Sequence, residues 1–282
     1  MGCETREERR ETGSSAIGEC SPSPISRLTS HAQQGFTLIE LITVIVLLAI
    51  IASIGSSFVV SSTESYQQVQ SRAKLVNKSR QAMERMTRQL RGAVPNSMQL
   101  FAANTCIKFL PMASGGFYLN PVPDNANGAA ASNSIASAPY RVDFGSARYA
   151  VIGALINTDI YGGGASATLT SPLAEGTSQG GGGIALSSNQ IWTRNSIERR
   201  FFLADNPQAF CVVGNALHFL QGNSLGWTPS GTGTLMAQQV TGNFALQAGT
   251  ESRSTIVDID LNFTEGGETV NLQQQVTIRN VP

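Results

Sequence analysis

From Phe36 to Val60 the chain reads FTLIELITVIVLLAIIASIGSSFVV, 25 residues whose one charge is Glu40. No other feature restricts the fold so strongly. As a helix this run is about 38 Å long, against a bilayer hydrocarbon core of about 30 Å. Its length and near-absence of charge favour a membrane segment over a buried core helix. Composition changes in steps around it. Residues 1–35 carry four basic and five acidic side chains, and residues 64–91 carry seven and two. From Gly92 onward there are eight basic residues, eleven acidic ones and 23 of the 28 glycines. The whole chain is formally neutral, which excludes bulk electrostatic attraction to nucleic acid, so no nucleic-acid partner is expected. The flanks bear on orientation and disagree. Lys and Arg are denser after the apolar run, which by the positive-inside rule would keep the C-terminal region in the cytoplasm. The cysteines and strand-rich C-terminal region point to export instead.

No proline occurs between Pro24 and Pro95, so helix can continue beyond the membrane until Gly92-Ala93-Val94-Pro95. Val69, Val76, Met83 and Leu90 recur every seven residues, with Ala73 between the first two, and basic residues flank them. This predicts an amphipathic helix packed on an attached globular region. After Pro95, short β-branched and aromatic runs alternate with Gly, Asn, Ser and Pro. Strands are predicted at Cys106–Leu110, Tyr140–Phe144, Tyr149–Ile156, Ile184–Trp192, Arg200–Leu203, Ala209–Val213 and Leu217–Leu220. The clearest are Phe244–Gln247, Thr255–Phe263 and Thr269–Arg279, with a turn over 264–268, which read as an antiparallel meander with one face on the long helix. Residues 112–139 and 157–183 read as long loops. The expected fold class is α+β: a helix over 36–92, with its span at 36–60, and a β-rich region over 93–282.

The sharpest local pattern is Gly35-Phe36-Thr37-Leu38-Ile39-Glu40. A carboxylate within a membrane span is costly, about 2.5–3.5 kcal/mol for an Asp at mid-span, so Glu40 requires a partner. Cleavage after Gly35 would create one, because the new α-amino group of Phe36 could pair with Glu40 of a neighbouring copy. These residues resemble the processing site of type IV prepilins and type II secretion pseudopilins. The resemblance covers Gly35 to about Val60, and extends in general character to Arg91. It implies a type IV pilin-like fold, cleavage by prepilin peptidase between Gly35 and Phe36, N-methylation of Phe36, and use of Glu40 for subunit registry. It further implies no enzymatic activity, with major and minor pilins, an inner-membrane assembly platform and the membrane as partners. The location implied is the bacterial inner membrane for the precursor and a surface pilus for the processed chain. Glu198 to Asp205, Phe210-Cys211 and the terminal Val276 to Pro282 are similar to minor pilins of the mannose-sensitive haemagglutinin (MSHA) pilus, the MshO type. That type is similar in turn to the minor pseudopilin J of type II secretion. The expected role is a minor subunit near the tip or in the initiating complex, supporting assembly and adhesion. A pseudopilin and a carbohydrate-binding tip adhesin are the alternatives. The expected leader, 1–35, is longer and less basic than the family's usual one, and a start near Leu28 would give an ordinary length.

Other candidate sites are sparse. Cys3, Cys20 and His31 fall in the leader. Cys106 and Cys211 remain, and in an exported region they most simply form one disulfide, with separate buried thiols as the alternative. His218 sits in a strand-like run with no nucleophile motif around it. Gly180–Gly183 lacks the Lys-Ser/Thr continuation of a phosphate loop and reads as a flexible loop, and no cofactor is expected. Asp258, Asp260, Glu265 and Glu268 are weak candidates for Ca²⁺, with a solvated strand face the better reading. Trp192 and Trp227 could contact a sugar ring, though buried core positions are commoner.

Overall fold

The computed structural model describes residues 35–140, 145–162, 169–175, 181–250 and 252–279. The expected leader before Gly35, including Cys3, Cys20, His31 and Leu28, lies outside these, as do residues 141–144 of one predicted strand. Two units are distinguished, one ending at Val59 and one beginning at Val60. Helix α1, Leu38–Arg91, contributes to both. In the first unit every described residue is exposed, from Gly35 to Val59. This helix is long and apolar enough to cross a membrane.

In the second unit α1 packs on β-structure through Leu75, Ser79, Ala82, Met83, Met86, Thr87 and Leu90. The spacing follows 3.6 residues per turn. The buried stripe differs from the seven-residue one expected from Val69, Ala73, Val76, Met83 and Leu90. Val69 is 69% exposed and Ala73 is exposed, while Val76 is half-buried. A strict seven-residue repeat drifts about 20° per heptad around a straight helix, so only a supercoiled partner could follow it. The sheets follow the helical period instead.

A five-stranded antiparallel sheet has the order β1-β2-β9-β10-β11, with β1 Gln99–Phe101, β2 Cys106–Phe109, β9 Gln208–Val213, β10 Ala216–Gln221 and β11 Thr234–Gln238. The meander β12-β13-β14 follows, formed by Val240–Gln247, Thr255–Glu265 and Glu268–Ile278. Its last hairpin turns at Gly266 and Gly267, both at positive φ, between paired Glu265 and Glu268. Strand β13 alternates strictly, burying Val257, Ile259, Leu261 and Phe263. Each such side chain contributes roughly 1.5–3 kcal/mol by leaving water. They join α1, Ile107, Phe109, Phe210 and Phe219 in one core. There Phe109 stacks on Phe210 at 5.5 Å, and the Arg85 guanidinium lies 5.0 Å from the Phe219 ring centre.

The expected long loops are also corrected, because they contain further strands. A four-stranded sheet has the order β3-β8-β5-β6, with β3 Met112–Phe117, β8 Arg200–Ala204, β5 Tyr149–Ile152 and β6 Thr170–Pro172. Strands β4 Ser132–Tyr140 and β7 Gly181–Gln190 pair with each other, and Asn157–Tyr161 forms the short helix α2. The glycines of β3 look like loop residues in sequence. In the fold, a Cβ on Gly116 would stand 2.9 Å from the Phe201 ring, and one on Gly115 would stand 3.3 Å from Phe202. These strand positions are small because the rings of β8 lie over them. Of Gly180–Gly183, expected as a flexible loop, Gly180 lies outside the described residues, Gly181–Gly183 open β7, and Gly183 backs onto Ser134 and Ile135.

Candidate functional site

The candidate site is the start of α1. Thr37 precedes the helix, and its carbonyl accepts from Glu40 N at 3.1 Å and Leu41 N at 3.2 Å. Its hydroxyl oxygen accepts from Glu40 N at 3.4 Å. Thr37-x-x-Glu40 therefore has the spacing of a capping box, with the acid in the first turn where the helix dipole favours negative charge. The sequence reading assigned Glu40 only to contact between subunits. The Thr-x-x-Glu spacing was the signal for this second, local role. Phe36 is 81% exposed two residues before the helix, so the Gly35–Phe36 bond stands just ahead of a helix entrance. The following Thr43, Ser53, Ser56 and Ser57 donate their hydroxyls to carbonyls three residues back at 2.9 Å, which satisfies them within the helix.

The remaining candidates lie elsewhere in the second unit. Cys106 and Cys211 are opposed in register on β2 and β9 and are joined as a disulfide with sulfurs 2.08 Å apart. Beside it, on the same face of β2, Lys108 is 2% exposed. Its Nζ donates to the carbonyls of Leu225 and Trp227, both at 2.8 Å, and lies 4.0 Å from the Tyr161 ring centre. Burial lowers its pKa to about 8. The Tyr161 hydroxyl donates to Ser97 O at 2.8 Å, and burial pushes its pKa up. This cluster holds the 222–233 connection over the sheet. The sequence reading passed over Lys108, because Cys-Ile-Lys-Phe carries no mark that all four residues become buried.

The four acidic candidates do not converge. Asp258 accepts from Gln275 at 2.9 Å and Gln247 at 3.3 Å, and Asp260 accepts from Asn271 at 2.7 Å and Gln273 at 3.1 Å. Glu265 pairs with Lys78 at 3.3 Å, and Glu268 accepts from Gln68 at 3.0 Å. Among the described residues no three His, Cys, Asp or Glu side chains gather as a metal site. His218 is 8% exposed, with Nδ1 3.3 Å from Gly233 O. Trp192 is 1% exposed within a second core, so no sugar can stack on it, whereas Trp227 is half-buried against Gly222.

Residues 30–56 match the model for the prokaryotic N-terminal methylation motif. The chain carries a type IV pilin-like prepilin signal. That signal overlies Gly35, Phe36 and Glu40 and the first part of the exposed apolar helix. It supports a type IV pilin or pseudopilin, a structural subunit anchored in a membrane as a precursor. No curated protein and no solved structure matches the chain.

Proposed function

We propose that the chain is a minor pilin of an MSHA-type pilus, processed and then built into the filament. In this reading prepilin peptidase cuts between Gly35 and Phe36 and methylates the new amino group. Residues 36–60 hold the precursor in the inner membrane, and the assembly platform passes it to major and minor pilins. The observation that carries the reading is the methylation motif in register with an acid-bearing, wholly exposed apolar helix. Once Phe36 is the first residue, its ammonium and the Glu40 carboxylate of an adjacent subunit neutralise each other in a medium where neither is tolerated alone. The pair therefore forms only in an assembly, and fixes the axial step between neighbours. The disulfide suits an oxidising compartment, which supports an exported second unit.

The same chemistry serves a type II secretion pseudopilin. Intact-mass and N-terminal peptide spectrometry on sheared surface filaments and on membranes separates the two. A species beginning at N-methylated Phe36 in filaments is the expected result. Processed chain confined to membranes would favour the pseudopilin, and uncut chain in both fractions would overturn the prepilin reading.

A further inference from the structure

Strand β14 is the outer strand of its sheet and, among the described residues, the longest strand with an edge that no other strand pairs. Its eleven residues pair with β13 without a register shift. The opposite edge of that sheet is covered: Val240 N donates to Asn215 O at 2.9 Å and Phe244 N to Asn104 O at 2.8 Å. Among the described residues no backbone group of β14 bonds to anything but β13. Native edge strands are usually blunted by charge, proline, a bulge or short length. From Thr269 to Ile278 this edge has no charge, no proline and no bulge. Its core-facing Val270, Leu272 and Gln274 are half-buried, whereas their neighbours on β13 are fully buried. One more strand would complete the layer.

The C-terminal end of β14 opens into a groove of about 600 Å³. Met112, Phe202, Gln275 and Thr277 line it, with Arg91 and Arg279 also lining it and no acidic residue among its lining. Neither arginine has an ion-pair partner among the described residues. We propose that β14 takes up one extended strand from a different protein subunit, with an acidic side chain or terminal carboxylate of that strand at the Arg91–Arg279 end. Backbone bonds supply the attachment, and the arginines fix its register.

The occupant is not β14 of a second copy of this chain. Gln68 bonds Glu268, and Arg91 shares the groove with Ile278, so β14 runs along α1. Antiparallel pairing of two β14 strands about a two-fold would reverse one α1 against the other. In an assembly whose subunits all share one polarity, as the proposed function holds, that reversal is not allowed. Parallel pairing about a two-fold along the strands would flip one sheet, leaving Val270 and Leu272 uncovered.

The test places a photo-crosslinking phenylalanine analogue singly at Asn271, Gln273, Gln275 and Thr277 of the full-length chain in its native cells, and sequences the crosslinked peptides. The expected result is one segment of another protein, with attachment points moving by two residues per step along it. R279E lowers the yield from Thr277 about tenfold, as loss of a charge-assisted contact requires. Attachment points scattered over a surface, crosslinks to copies of this chain, or none from the four positions would overturn the strand-addition site. An unchanged yield in R279E would overturn the acidic group assigned to the partner. The N-terminal mass of the chain from the same cells is read independently. A chain beginning at methylated Phe36 with no edge crosslinks therefore refutes this inference and leaves the proposed function standing.

Discussion

Lys108 gives the most quantitative test of the second unit. Lys108 is 2% exposed, two carbonyls at 2.8 Å and a tyrosine ring surround its ammonium, and no carboxylate pairs with it among the described residues. Burial therefore holds its pKa at about 8 rather than 10.5. Between those values the unfolded chain keeps a proton that the folded chain has lost, so stability rises with pH. Carrying the two pKa values through the linkage relation gives a gain of roughly 2–3 kcal/mol from pH 7 to pH 10. Other groups titrate in the same range, including Tyr161, Tyr118 and Tyr149, whose pKa values burial pushes up. Those tyrosines oppose the trend above about pH 10, because the unfolded chain ionises first. K108M removes the lysine and leaves them in place. The measurement is urea unfolding of full-length wild type and K108M in detergent, followed by tryptophan fluorescence at several pH values. The stability of wild type minus that of K108M should climb by roughly 2–3 kcal/mol across pH 7–10. A flat difference would show that the amine stays hydrated at its ordinary pKa, and would refute the packing of the 222–233 connection over β2.

Three further outcomes are expected from the same unfolding assay. Replacing both Cys106 and Cys211 with serine frees a loop spanning 105 positions and costs about 4.7 kcal/mol in the chain-entropy account, and wild type under reductant should show a similar loss. Leu90 is fully buried in the core beneath α1, so L90A should cost about 2–5 kcal/mol, whereas V69A on the exposed part of the same helix should change stability by less than about 0.5 kcal/mol. Gly242 has φ near +142°, and a Cβ there would stand 2.1 Å from Asp260 O, so G242A should destabilise by more than about 2 kcal/mol while the neighbouring exposed T241A stays near neutral.

Much of the candidate site was legible before the fold was known, because it depends on contiguous chain. Gly35, Phe36 and Glu40 lie within six residues, and the apolar run after them is one uninterrupted segment. Even the Thr37–Glu40 cap can be read from spacing. The β-region was legible only where one face is buried and the other wet. β13 shows that alternation, whereas β3 and β7 hide theirs behind glycines, whose size is set by Phe201, Phe202 and Ser134 from other strands. No local pattern reveals a constraint imposed from elsewhere in the chain.

By itself the sequence determined that a helix of membrane-spanning length begins at a prepilin-type signal and that antiparallel strands follow it. Hydrophobic period and length act within a segment, so they survive without knowledge of its neighbours. The tertiary structure alone decided which stripe of α1 is buried, that Lys108 loses its water, that Trp192 is closed to ligands and that β14 keeps an open edge. Each depends on which distant strand comes to lie alongside, and burial, the source of these differences, is a property of the packed pair rather than of either segment.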